Sequence, residues 1–170
     1  RLRHAVDDNR LLGIQRGNAR KLAVIAELAV DLVRNDEDAA LAAFRGAAGE
    51  GLRSVAIVLM HGWRHGAHEA RLAELARQAG FTQISVSHRL APLIKLVPRG
   101  DTTLVDAYLS PVLRRYVDGF SGELGGHIRP LFMQSSGGLI EGGRFSGKDA
   151  ILSGPAGGIV GMARTAEGLT

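Results

Sequence analysis

Ser153-Gly154-Pro155-Ala156-Gly157-Gly158-Ile159-Val160-Gly161 is the stretch whose residue types most plainly could do chemistry. A hydroxyl followed by Gly and Pro at the first helical positions reads as a helix start. Gly154, Gly157, Gly158 and Gly161 leave the first two turns almost bare. Such a start offers backbone N–H groups and the positive end of a helix dipole, which together can hold phosphate. Small residues serve close helix packing equally well, so spacing alone leaves both readings open.

Other clusters carry the same ambiguity. Ser135-Ser136-Gly137-Gly138 follows an apolar run and could offer hydroxyls and N–H groups to an anion, or simply form a turn. Pro98-Arg99-Gly100-Asp101-Thr102 supplies Arg99 for an anion, or is a loop with Asp101 as a helix cap. His61, His65 and His68 lie four and three residues apart just past a strand. A helix could turn two of them towards a metal, but Gly62 and Gly66 favour a turn. No metal site is therefore assigned, and His61 and His68 are read as lining a cleft. Gly142 to Lys148 fits the first seven positions of a phosphate-binding P-loop, yet Asp149 stands where Ser or Thr should hold Mg²⁺. A carboxylate there would repel phosphate, and a strand is expected from Ala150 where the P-loop needs a helix. The P-loop reading is rejected. A serine-nucleophile elbow is likewise absent, since Ser135-Ser136 lacks the G-x-S-x-G frame.

The elements that would position these groups fall into three regions. Residues 1–50 read as helical: Leu22, Ile25, Ala26, Ala29, Leu32 and Val33 recur at three and four, predicting a helix from about 19 to 34. A second helix, capped by Asp36, runs through Phe44 to Gly49, while residues 1–16 are too polar and irregular to assign. Residues 51–99 read as strand–helix–strand, with strands over 54–60 and 83–87 and a helix over 67–79. Parallel strands joined in this way place their functional edge at the strands' C-terminal ends. Residues 100–170 hold a helix from Leu104 to Tyr116, kinked or restarted at Pro111. A glycine-rich turn over 119–126 and a strand over 129–134 follow.

Composition narrows the partners. The chain has 170 residues, 45% hydrophobic and 22% charged, as expected of one or two compact units. Its net charge of +4 and 5% aromatics do not suit a nucleic-acid stacking platform. The absence of cysteine excludes disulfides, thiol nucleophiles and thiolate metal sites. No apolar run reaches about 18 residues, so no membrane partner is expected and a cytoplasmic location fits. Arg1 stands where an initiator Met would, and the last helix ends near Thr170, so the chain reads as a piece of a longer polypeptide.

Four segments together resemble the hydantoinase/oxoprolinase family, its oxoprolinase branch in particular. They are Ser54 to His61 with Ala67-His68-Glu69, and Leu96 to Thr102 with Asp106 to Pro111 and Arg115 to Phe120. Leu131 to Leu139 and Phe145 to Gly161 complete the set. The resemblance covers roughly 50–165 and implies an α/β fold, a fragment of an actin-like (ribonuclease H-like) ATPase fold. Residues 51–99 would end the family's N-terminal region, and 100–170 would begin its hydantoinase A/oxoprolinase domain. The phosphate-gripping hairpins of that fold have no counterpart in this chain, so the glycine helix is expected to support a phosphate site rather than form it.

The implied reaction is opening of 5-oxo-L-proline to L-glutamate, coupled to ATP hydrolysis with Mg²⁺, by a parent protein of which this piece alone is inactive. A hydantoinase or N-methylhydantoinase subunit, or a non-catalytic nucleotide-binding module, are the alternatives. Implied partners are the lactam, the remainder of the chain or a hydantoinase B-like subunit, and further copies in a homo-oligomer. Substrate- or phosphate-proximal candidates are Arg99, Asp101, Ser135, Ser136, Gly137, Gly138, Ser153, Gly154, Gly157 and Gly158. No catalytic base is assigned.

Overall fold

The computed structural model describes residues 22–26, 37–124 and 128–167. The chain forms two compact units, Arg1–Tyr108 and Leu109–Thr170.

In the first unit three parallel strands lie in the order β1 (Leu22–Ala26), β2 (Ser54–Val58) and β3 (Gln83–Val86). Val24 pairs with Ala56, and Ala56 with Ser85. Every residue of β2 is buried, as expected for a β-branched apolar run at the centre of a parallel sheet. Helix α1 (Glu37–Gly49) joins β1 to β2, and α2 (Gly66–Gln78) joins β2 to β3. Their apolar stripes meet in one core: Phe44 and Ala47 of α1, Leu72 and Ala76 of α2, Val55 and Ile57 of β2, and Phe81. Phe44 and Phe81 meet edge to face, with ring centroids 5.7 Å apart. Gly80 takes φ +96° beyond α2, the left-handed position that glycine fills at helix ends.

The expected strand–helix–strand of 51–99 is present, but the helix expected from 19 to 34 is not. Leu22–Ala26 is a strand. An unbroken run of Leu, Ala, Val, Ile and Ala satisfies helical spacing trivially, and its β-branched centre suits a parallel strand. Residues 27–34 of that expected helix, and the unassigned 1–16, lie outside the described residues.

After β3 come a single turn, α3 (Ser87–Leu90), and the long α4 (Leu96–Glu123). The segment expected to be a loop at 98–102 is thus helix. Pro98 stands in its first turn, where a missing N–H costs nothing. Asp101-Thr102 is not a cap: Thr102 Oγ1 donates to the Pro98 carbonyl at 2.9 Å, inside the helix. Pro111 does not end α4, and the glycine-rich turn expected over 119–126 is still helical to Glu123.

In the second unit β4 (Leu131–Met133) and β5 (Leu139–Glu141) form an antiparallel hairpin. Phe132 packs edge to face on Phe120 and stacks on Phe145, with centroids 6.1 and 5.6 Å apart. A one-turn helix, α5 (Gly147–Ala150), leads into α6 (Ser153–Glu167). The strand expected from Ala150 is therefore absent. A Cβ at Gly147 would lie 2.7 Å from the Ser110 backbone nitrogen, and the Gly147 N–H donates to Ser110 Oγ at 2.9 Å. Ser110 thus caps α5 from α4 instead of restarting α4. Among the described residues no helix is long and apolar enough to cross a membrane.

Candidate functional site

The C-terminal edge of the parallel sheet gathers a buried polar cluster. Glu69, in the first turn of α2, is 0% exposed. Its Oε1 accepts from the Leu59 N–H just past β2 at 2.8 Å and from Ser87 Oγ just past β3 at 2.6 Å. Its Oε2 accepts from the His88 N–H at 2.9 Å and lies 2.7 Å from His88 Nδ1. One carboxylate therefore bridges two adjacent strand ends with all four of its acceptor positions filled. Two glycines make room for it. A Cβ at Gly62 would sit 2.1 Å from Glu69 Oε1, and one at Gly66 would sit 2.8 Å from the His88 ring. Gly62→Ala is expected to lower stability by about 1–3 kcal/mol in urea unfolding. The displaced carboxylate must give up hydrogen bonds to escape the methyl group.

Arg99 faces the same strand exit from α4 and is also 0% exposed. Its Nη1 donates to the Leu93 carbonyl at 3.0 Å, and its Nη2 to the carbonyls of Leu59 and of Met60, the latter at 3.1 Å. The backbone of Leu59 is thus held on its N–H by a carboxylate and on its C=O by a guanidinium. Beside it, Gln83 Nε2 donates to Ser85 Oγ at 2.9 Å, and Ser85 Oγ to Asp106 Oδ2 at 2.7 Å, tying β3 to α4. His61 and His65 are exposed and His68 half-buried in the turn and first helical residues that follow β2. The His61 carbonyl accepts from the N–H groups of Arg64 and His65. Among the described residues no three His, Asp or Glu side chains converge as a metal site. Asp101 is exposed on α4.

In the second unit the turn at 134–138 packs against the start of α6. Gly137 takes φ +83°, and its N–H donates to the Gln134 carbonyl at 2.9 Å. Ser135 is fully engaged: its N–H and Oγ both donate to the Asp149 carbonyl, and its Oγ accepts from the Leu152 N–H at 3.0 Å. Ser136 is exposed, and its Oγ accepts a long 3.4 Å contact from the Gly138 N–H. Ser153 Oγ donates back to the Ala150 carbonyl at 2.8 Å. A Cβ at Gly157 would meet Met133 at 3.6 Å, whereas one at Gly154, Gly158 or Gly161 would meet nothing within 4 Å. The Gly157 distance is an ordinary van der Waals contact, so close packing within this unit requires none of these four glycines.

Asp149 anchors α5. Burial alone would raise its carboxyl, but hydrogen bonds from Lys148 at 2.6 Å and Ser146 at 2.7 Å, the Lys148 charge and a contact from Gln134 outweigh it. The group titrates below its ordinary value of 3.8. A depressed carboxyl contributes stability above its unfolded value, and that contribution is lost as pH falls through the folded one. Asp149→Asn should therefore flatten the acid-side fall in Tm below about pH 4, read by melting both proteins across pH.

Sequence reasoning singled out the histidines past β2, and Arg99 as an anion ligand, but passed over Glu69, Ser87 and His88 as a group. The available signal was position: Ser87-His88 follows β3 directly, and Glu69 opens the helix after β2, both at the edge where α/β sheets bind ligands.

Comparison with known proteins agrees with the resemblance read from the motifs. A model of the Hydantoinase/oxoprolinase family matches residues 99–170. The chain is 45% identical over 128 residues to 5-oxoprolinase 1 of Arabidopsis thaliana, covering 74% of this chain and 10% of that protein. It is 36% identical over 157 residues to 5-oxoprolinase of Saccharomyces cerevisiae, covering 90% and 12%. The chain thus spans about a tenth of the length of the curated relatives it matches. The crystal structure of ATP-dependent caprolactamase from Pseudomonas jessenii superposes with a TM-score of 0.65 at 36% identity, covering 71% of this chain and 18% of that one. The fold is the α/β, actin-like one expected from the sequence. The chain belongs to the hydantoinase/oxoprolinase family.

Proposed function

We propose that this chain is a segment of an ATP-dependent lactam hydrolase that converts 5-oxo-L-proline, ATP and water to L-glutamate, ADP and phosphate. The observation that carries this reading is the 36% identity to a 5-oxoprolinase over 90% of the chain. The structure supports a supporting role for the segment. Arg99 spends its guanidinium on three carbonyls, Ser135 spends its hydroxyl on Asp149 and Leu152, and no acid cluster offers Mg²⁺ ligands among the described residues. These residues do not by themselves fit a triphosphate or its metal. We therefore assign ATP and Mg²⁺ to residues beyond the described ones, and the 170-residue chain alone is expected to be inactive.

Of the candidate residues, Ser135, Gly137, Ser153 and Gly157 would brace the glycine helix. Gly154 and Gly158, with open space beside them, are the positions left to approach the nucleotide or a neighbouring part of the parent protein. A cytoplasmic location, a homo-oligomer and a hydantoinase B-like partner region belong to the same reading.

A substrate panel on the intact parent protein tests it. With ATP present, 5-oxo-L-proline should be opened in preference to hydantoin and caprolactam. Preference for hydantoin would replace this reading with a hydantoinase one. Preference for caprolactam would favour the second reading suggested by the solved caprolactamase.

A further inference from the structure

Glu69, Ser87 and His88 form a constellation to which the family resemblance assigns no role. The Glu69 carboxylate has three fixed donors, the N–H groups of Leu59 and His88 and the hydroxyl of Ser87. Both its oxygens are thereby acceptors, so the His88 ring must be the donor across the 2.7 Å contact, through Nδ1–H. In the neutral ring Nε2 then carries a bare lone pair. Among the described residues no group hydrogen-bonds Nε2. The His88 side chain is 20% exposed while Glu69 is 0% exposed, so the pair is anchored inside and open at the imidazole. It stands at the C-terminal edge of the parallel sheet, where this class of fold binds its ligands. A base held by hydrogen bonding to a buried carboxylate is the usual arrangement for moving a proton.

We propose that His88 is the catalytic proton acceptor for the water that opens the lactam, with Glu69 as its positioning residue. This inference rests on the lactam-hydrolase reading above. As the water oxygen bonds to the carbonyl carbon, the carbonyl π pair moves to its oxygen and the water proton passes to Nε2. On collapse that pair returns, the ring C–N bond breaks with its electrons on nitrogen, and nitrogen takes the proton back from the imidazolium. Atoms and charge balance, and His88 is regenerated. Ser87 acts on Glu69 rather than on substrate, since its hydroxyl is buried and already donated to Oε1.

The test uses the intact parent enzyme. His88→Asn keeps a donor near Nδ1 and removes Nε2, so it should preserve folding. It should lower kcat for ATP-dependent amino-acid release by about 10²–10⁴-fold while KM for the lactam moves by less than about threefold. In His88→Gly, added imidazoles should restore turnover in proportion to their basicity, which a merely structural role would not produce. In the wild-type enzyme, nitrogen NMR of the neutral ring should report a proton on Nδ1 and none on Nε2. The inference is overturned if His88→Asn retains kcat, if imidazole fails to rescue folded His88→Gly, or if the neutral ring is protonated at Nε2. Wild-type enzyme that opens no lactam removes both this inference and the reading beneath it. An active wild type with an equally active His88→Asn removes this inference alone.

Discussion

Glu69→Ala is expected to lower the stability of the first unit by about 3–5 kcal/mol, measured as a shift in urea midpoint at unchanged slope. The substitution strips the partner from two backbone N–H groups and from Ser87, all at a strand edge that is otherwise closed. Each buried donor left without an acceptor costs about 1–3 kcal/mol, and water entering the vacated space returns only part of this. Glu69→Gln should recover little. Its amide places two hydrogens where the carboxylate accepts, so one side of the cluster must face a donor with a donor. A loss below about 1 kcal/mol for Glu69→Ala would mean the carboxylate is not what joins the two strand ends.

Arg99→Ala is expected to be nearly as damaging, at about 3 kcal/mol, because hydrogen bonds to a charged group count for more than neutral ones. The guanidinium brackets the exit of β2 through the carbonyls of Leu59 and Met60 and reaches Leu93 as well. Its Nε has no partner and is buried, so the site holds the residue for its fork rather than for complete satisfaction. Arg99→Lys should therefore restore less than half of the loss, since an ammonium cannot span three carbonyls from one plane. Differential scanning calorimetry of the three proteins would check the order. Full recovery by lysine would show that charge alone matters at this position.

The arrangement of β2, α2 and β3 was legible because each segment has one strong signal: an unbroken β-branched run, a helical stripe, and Gly80 as a stop. β1 was misread because Leu22 to Ala26 is apolar throughout, and a wholly apolar run fits the periods of helix and strand alike. Only pairing with β2 decides between them, and pairing is a tertiary fact. The start of α4 was hidden by Pro98 and Gly100, residues that suggest a loop in general, although Pro98 is tolerated in a first turn and Gly100 only weakens the helix interior that follows. At 119–126 the glycines suggested a turn, yet α4 continues through Gly119 and Gly122, with Tyr116 and Phe120 stacked 6.2 Å apart along it.

The candidate site was less legible for a different reason. Glu69 and His88 stand nineteen residues apart, a spacing with no local meaning. They meet because parallel strands bring their C-terminal ends side by side, so the pair is a property of topology. Arg99 illustrates the converse. Its residue type suggested an anion ligand, whereas its burial commits it to backbone carbonyls within this chain. Gly62 and Gly66 were read as turn formers, and their second role, clearing space for a carboxylate and an imidazole, is visible only once those side chains are placed.

The measurement that bears most directly on this account is the stoichiometry of the intact parent protein with 5-oxo-L-proline and ATP. Glutamate and inorganic phosphate released together in equal amounts is the predicted result. Phosphate released at the same rate with or without the lactam, and with no glutamate formed, would contradict it.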